Sequence, residues 1–128
     1  MQKYRDTFYK QYFTTQAGKS DPSAFLAVFN EQKWFFANEI VPHLPKNKNV
    51  KILDIGCGNG SLLAAAKEAG YLNVTGIDIS AEQVEIANKL GVVEVQQGNL
   101  KDLIRNQDFK FDVVTGMDII EHFTKDEL

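Results

Sequence analysis

The chain has 128 residues, of which 44% are hydrophobic and 24% charged, as expected of one globular domain rather than a disordered segment. Its formal net charge of -3 at pH 7 gives no basic field to hold a phosphate backbone, so we expect no general nucleic-acid binding. The first ten residues, MQKYRDTFYK, lack the apolar stretch of a secretory signal, and no later apolar run approaches the ~18 residues of a membrane span. With one cysteine, which can form no internal disulfide, these features predict a cytoplasmic protein without membrane contact.

The N-terminal part of the chain is rich in aromatic residues, since ten of the fourteen fall within the first 36 positions. A short helix is predicted at residues 3–13. A longer helix is predicted at 22–43, with Asp21 as its N-cap and Pro22 at its first position, and with further prolines ending it. So many aromatic side chains must pack on another part of the fold.

From residue 50 onward, short apolar runs alternate with helical stretches. Strands are predicted at 50–55, 74–79, 92–96 and 111–117, and helices at 61–69, 81–90 and 100–106. Gly70 and Gly91 follow two of these helices, and Ser80 with Gln83 forms a capping box for the middle one. Alternation of strands and helices predicts a doubly wound, mainly parallel, Rossmann-like α/β sheet at 47–128, preceded by a helical cap or lid segment at 1–46.

The last five residues, TKDEL, end in the letters of an endoplasmic-reticulum retrieval signal. Such a signal acts only on proteins that enter the secretory pathway, and no entry signal is predicted here. Thr124 and Glu127 instead have the spacing of a capping box, so TKDEL is interpreted as the start of a helix. We expect a fold truncated after the fourth strand, whose open edge favours self-association between chains.

The stretch LDIGCGNG at residues 53–60 contains Asp54 near the end of the first predicted strand and then Gly56, Gly58 and Gly60 before a helix. Glycines permit a tight turn and let a ligand lie against the backbone, while the helix N-terminus offers unpaired N–H groups. Asp78 ends the next predicted strand, where a carboxylate can accept both hydroxyls of a ribose. The pattern therefore predicts a site for a ligand that contains a nucleoside.

Two nucleoside cofactors fit this pattern to different degrees. A dinucleotide fingerprint G-x-G-x-x-G, counted from Gly56, would place a glycine where Ser61 stands. Asp54 would also repel a diphosphate, whereas it suits a cationic ligand. S-adenosylmethionine (SAM) has a ribose and no phosphate, and it has an ammonium and a sulfonium group. SAM is favoured, and an NAD(P)-dependent oxidoreductase remains an alternative.

Four motifs in order resemble those of class I SAM-dependent methyltransferases, a family that includes small-molecule, quinone-precursor and sugar O-methyltransferases. They are LDIGCGNG, GIDIS at 76–80, QQGNL at 96–100 and FDVVTGMDIIEHF at 111–123. The resemblance covers roughly residues 50–123 and implies that the chain is the N-terminal, cofactor-binding part of such an enzyme.

The resemblance also implies which residues bind the cofactor. Asp54, Gly56 and Gly58 would hold the methionine portion, Asp78 and Ile79 the ribose and adenine, and Asn99 and Leu100 the adenine. The whole implied set is Asp54, Gly56, Cys57, Gly58, Asp78, Ile79, Asn99, Leu100 and Met117. Many relatives have Asp where Asn99 stands, although the oxygen of Asn99 can still accept from the adenine amino group. For Cys57, a small filler within the loop is favoured over a nucleophile activated by the helix N-terminus.

Catalytic residues are implied in the loop that follows the fourth strand. There the resemblance makes His122 a candidate general base toward a hydroxyl, and a packing role is the competing interpretation. Some relatives bind a divalent cation with an acidic-x-x-Glu-His arrangement, for which Asp118 and Glu121 would join His122, but no metal is assigned. Aromatic residues of the N-terminal helices, such as Tyr9 and Tyr12, are candidates for a lid.

Together these features predict a SAM-dependent methyltransferase that acts on oxygen of a small-molecule acceptor. Catalysis would come mostly from aligning the acceptor with the methyl group and excluding water. The alternative, from a different class, is a non-catalytic fragment that binds SAM or another nucleoside without turnover.

Overall fold

The computed structural model describes residues 22–105 and 110–117. Its elements, numbered in chain order, are α1 (Pro22–Glu39), a 3-10 turn (Val41–His43), β1 (Ile52–Ile55), α2 (Ser61–Glu68), β2 (Val74–Asp78), α3 (Ala81–Lys89), β3 (Val95–Gln97), α4 (Leu100–Arg105) and β4 (Val113–Thr115). The predicted helix at 3–13, the Asp21 cap, and the loop and helix from residue 118 onward lie outside the described residues.

The four described strands form one parallel sheet in the order β3-β2-β1-β4. β1 is paired with a strand on each side, and all four of its residues are buried. Asp54 of β1 stands in register with Gly76 of β2 on one side and with Thr115 of β4 on the other. The predicted doubly wound, parallel α/β sheet is confirmed.

Helices cover both faces of the sheet. On one face, Ile52, Val74 and Val95 from the three strands pack with side chains of α2 and α3, and Phe29 of α1 belongs to the same cluster. On the other face, Leu53, Ile55 and Ile77 are covered by Leu100, Leu103 and Phe111. The first described helix, α1, packs against α2, and its residue Gln32 lies within hydrogen-bond distance of the segment that precedes α2.

Both predicted glycine caps are present, and one of them explains an error in the predicted third strand. At the end of α3, the N–H of Gly91 donates to Asn88 O at 3.1 Å and that of Val92 donates to Ala87 O at 2.9 Å, as in a Schellman motif. Val92 therefore completes the helix end, and the strand predicted at 92–96 begins only at Val95. The equivalent bonds of Gly70 and Tyr71 close α2.

The first described helix is shorter than predicted. It ends at Glu39, and the residues up to His43 form a 3-10 turn, although the helix was predicted to run through 43. Pro42 has no N–H to donate to an earlier carbonyl, so the α-helical bond pattern cannot pass through it. Within the described ranges, no helix is both long and apolar enough to cross a membrane.

The strand β4 forms one edge of the described sheet, and its residue Val114 is half exposed. An edge strand presents unpaired backbone groups along one side. Self-association through this edge stays a prediction, as does the division of the chain into 1–46 and 47–128.

Candidate functional site

The five residues between β1 and α2, which we call the glycine loop (residues 56–60), are attached to the end of β2. The N–H groups of Gly56 and Cys57 both donate to Ile77 O, at 2.8 and 3.1 Å. Gly60, the last residue of the loop, has a φ of 80°, and a Cβ added there would lie 2.8 Å from Val92 Cγ1. Gly60 is therefore required both by backbone conformation and by the space available.

Asp78, the last residue of β2, connects the glycine loop to α3. Its Oδ2 accepts a hydrogen bond from the N–H of Gly58 at 2.9 Å, and its Oδ1 accepts from the N–H of Ser80 at 2.9 Å. Ser80 Oγ in turn accepts from Gln83 N–H at 3.3 Å, as the predicted cap requires. The reciprocal bond of a capping box, which would use the Gln83 side chain, is made by Asp78 instead. Each carboxylate oxygen can accept a further hydrogen bond, so the half-buried group can still receive two ligand hydroxyls.

Asp54, in β1 shortly before the glycine loop, is more deeply buried than Asp78. It is 4% exposed, and its Oδ1 accepts from the Thr115 hydroxyl at 2.8 Å, across from β1 to β4. Thr115 was not among the predicted site residues. Asp54 therefore contributes a negative charge beneath the loop while its side chain is held by a neighbouring strand.

Cys57 is buried, and both carboxylates lie near enough for their charges to act on its thiol. Its Sγ packs so closely against Gly76 that a Cβ on Gly76 would lie only 2.7 Å from the sulfur. Burial, followed by the negative charges of Asp54 and Asp78, raises the pKa of the Cys57 thiol far above its ordinary value. A neutral, enclosed thiol agrees with the filler interpretation rather than with a nucleophile.

The other residues that the resemblance assigns to the cofactor have varied surroundings. The Ile79 side chain is 76% exposed directly after Asp78, where an apolar surface is available for stacking. Asn99 Oδ1 accepts from the N–H of Asp102 at 2.8 Å and so stabilises the start of α4. Leu100 packs against the core cluster of Leu53, and Met117 is half-buried just after β4. The structure thus gives Asn99 a capping bond that the sequence interpretation did not include.

A buried polar group beside the glycine loop was also missed. Gln32 of α1 is 8% exposed, and its Oε1 accepts hydrogen bonds from Asn59 Nδ2 at 2.9 Å and from Ser61 Oγ at 3.0 Å. The sequence contained one indication of this burial, since Gln32 follows Val28 and Phe29 at helical spacing and so shares the side of the helix on which these apolar residues lie.

The remaining catalytic candidates, His122 with Asp118 and Glu121, lie outside the described residues. Among residues 22–105 and 110–117, no three His, Cys, Asp or Glu side chains are grouped so that they can hold a metal ion.

Comparisons with known proteins identify a family for the chain. A family model described as "Methyltransferase domain" matches residues 52–128. A ubiquinone biosynthesis O-methyltransferase of Actinobacillus pleuropneumoniae serotype 7 is 40% identical over an alignment of 81 positions, and the match covers 56% of this chain and 34% of that protein. The match therefore spans about a third of the length of that curated relative.

Solved structures share the fold. The YcgJ protein of Bacillus subtilis has a TM-score of 0.54 at 26% identity, over 71% of this chain and 41% of that one. A SAM-dependent methyltransferase of Archaeoglobus fulgidus has a TM-score of 0.54 at 20% identity, over 90% of this chain and 47% of that one. The second likeness is one of fold alone.

Proposed function

Since this chain belongs to the methyltransferase domain family, we propose that it binds SAM at the glycine loop and takes part in methyl transfer to an oxygen atom of a small molecule. The membership confirms the family and fold class predicted from the sequence motifs, and with them SAM as the cofactor of the family. The activity and acceptor of the whole protein are part of the proposal.

The observation that best supports SAM binding is the position of Asp78. Both of its oxygens accept backbone N–H groups, which fixes the carboxylate between the glycine loop and the start of α3. The remaining acceptor capacity matches the two hydroxyls of a ribose, and the exposed Ile79 lies where the attached base would stack.

The charges around the loop favour SAM over a dinucleotide. Asp54 and Asp78 both lie near the loop, close enough for both charges to raise the pKa of Cys57. Two carboxylates would repel a diphosphate and attract the ammonium and sulfonium of SAM. A dinucleotide fingerprint requires its third glycine at the position of Ser61. The Ser61 side chain is instead buried, with 2% of the residue exposed, and its hydroxyl is hydrogen-bonded to Gln32.

When SAM is bound, it supplies a methyl group on a sulfonium that is already a good donor. The residues of this chain then bind and orient the cofactor through Asp78 and the glycine loop. We include His122 in the proposal as the group that accepts the proton of the acceptor hydroxyl. The choice of oxygen is supported by the O-methyltransferase named among the relatives.

Isothermal titration of the protein with SAM, S-adenosylhomocysteine and NAD tests the binding step. We expect both sulfur ligands to bind and NAD to give no saturable heat. Tighter binding of NAD, or no binding of SAM, would contradict the assignment.

Measuring the transfer of labelled methyl groups from SAM to a panel of phenols and sugar hydroxyls then distinguishes an enzyme from a nucleoside-binding module. We expect the full-length protein to methylate an oxygen acceptor. His122→Asn should lower kcat while the Kd for SAM is unchanged, because the proposed base contacts the acceptor. Turnover equal to that of the unmodified protein across the pH range would remove His122 from the proposal.

A further inference from the structure

Gln32, the buried polar residue beside the glycine loop, belongs to a helix that precedes the region matched by the family model. Gln32 lies in α1, whereas the methyltransferase domain model begins at residue 52. The buried residues of α1 are Val28, Phe29 and Gln32, of which only Gln32 is polar. Two apolar residues therefore attach α1 to the core, and the third buried position is used for hydrogen bonding.

The orientation of this hydrogen-bond group follows from the backbone. Ser61 N–H donates to Asn59 Oδ1 at 3.0 Å, which leaves the amide nitrogen of Asn59 to face α1. That nitrogen and the Ser61 hydroxyl both lie against one atom of Gln32, at 2.9 and 3.0 Å. The atom must be an acceptor, so Gln32 presents its oxygen to the loop.

These bonds determine the shape of the loop at the point where it meets Asp78. Asn59 lies between Gly58 and Gly60, both of which have a positive φ, and Gly58 donates the N–H that Asp78 accepts. With Asn59 bonded to Gln32 on one side and to the start of α2 on the other, the loop cannot turn independently of α1. All three side chains are at most 8% exposed, so water cannot easily replace a lost partner.

We propose that Gln32 is a positioning residue for the cofactor loop, which couples the docking of α1 to the binding of SAM. The proposal rests on the proposed function, since it requires SAM at this loop. When α1 leaves, Asn59 and Ser61 lose their shared acceptor and the loop loses its fixed shape. Linkage requires the reciprocal effect, so SAM binding stabilises the docked state of α1.

The first test is the variant Gln32→Met, which keeps the length of the side chain and removes the acceptor. We expect the Kd for SAM to rise about tenfold, the equivalent of about one net hydrogen bond. Asn30→Met is the matched control, because it also replaces a side-chain amide by methionine, but at an exposed position of the same helix. Its Kd for SAM should stay within about twofold of the original, since a change at an exposed residue leaves the docking of α1 almost unaffected.

A double-mutant cycle separates positioning from general loss of stability. Ser61→Ala removes one of the two bonds, and we expect it to raise the Kd about threefold in the original background. In the Gln32→Met background it should have almost no further effect, since the acceptor is already gone. If Gln32→Met fails to fold, Ser61→Ala in the original background remains a test, and an unchanged Kd there overturns the proposal.

The outcomes separate this inference from the proposed function. An original protein that binds no SAM contradicts both. A protein that binds SAM, with Gln32→Met binding equally well or weakening no more than Asn30→Met, contradicts the positioning role alone. Additive effects of the two substitutions in the cycle also contradict it.

Discussion

Two acidic residues at the carboxyl ends of neighbouring strands flank the same loop, yet their surroundings differ. Asp54 is 4% exposed and accepts from the hydroxyl of Thr115 on the adjacent strand β4. Asp78 is half-buried and accepts from two backbone N–H groups. A carboxylate held by backbone donors is fixed in place and keeps its outer acceptor capacity for a ligand, whereas an enclosed carboxylate acts through its charge and its support of the loop.

The comparison also explains why backbone donors suit a ligand-binding carboxylate. Gly58 N–H belongs to the loop itself, so a ligand that binds Asp78 also meets a loop whose position depends on Asp78. Asp54 instead joins β1 to β4, two strands that are already paired in register. Substitution at Asp78 should therefore affect binding most, and substitution around Asp54 should affect stability most.

Asp78→Asn should have the largest effect on binding. The amide keeps one acceptor oxygen but loses the charge and presents an NH2 where a backbone N–H or ribose hydroxyl donates. We expect SAM affinity to fall by about 3 kcal/mol, at the upper end for hydrogen bonds to a charged group, in isothermal titration. Glu82→Gln is the matched control, since it makes the same charge change on an exposed residue in the first turn of α3. If Asp78→Asn and Glu82→Gln bind SAM with equal affinity, the ribose does not bind at Asp78.

Thr115→Val should have the next largest effect, and mainly on stability. The change keeps the shape of the side chain but removes the hydroxyl that donates to Asp54. We expect the free energy of unfolding, measured in urea, to fall by about 2 kcal/mol because the donor serves a buried charge. Affinity for SAM should fall less than in Asp78→Asn.

The control for that change is Thr75→Val, which removes a hydroxyl from the neighbouring strand β2. Thr75 stands in register with Leu53 rather than with Asp54. If both variants lower the free energy of unfolding by the same amount, the hydrogen bond to Asp54 makes no contribution of its own to stability.

Features that depend on neighbouring residues in the chain were predictable from the sequence. The Gly70 and Gly91 caps and the Ser80 cap are set by three or four adjacent residues, and each is present. The alternation of elements likewise predicted a parallel sheet. The predicted start of β3 was wrong because the N–H of Val92 bonds to Ala87 O and so completes the end of α3. The apolar character of Val92 alone does not show whether it ends a helix or begins a strand.

Features that depend on contacts between distant parts of the chain were not predictable. The Gln32–Asn59 bond joins residues 27 apart, and the Thr115–Asp54 bond joins residues 61 apart. A single sequence contains the residue types but not their pairing. The role of Asn99 illustrates the same limit, since a motif position assigned to adenine also makes the first capping bond of α4.

Cys57, whose thiol is buried near the two carboxylates, gives the smallest predicted effect and a probe of that enclosed environment. Burial and the charges of Asp54 and Asp78 raise the pKa of its thiol, so the folded state retains a proton that the unfolded state releases above about pH 8.5. The stabilising effect is complete below that pH and decreases as pH rises, because the unfolded state then binds fewer protons. We expect the free energy of unfolding to fall by about 1 kcal/mol per pH unit between pH 9 and 10, and this slope should be absent in Cys57→Ala. Parallel pH profiles of the two proteins would show that the thiol ionises in the folded state, and so that burial and the two negative charges do not hold it protonated.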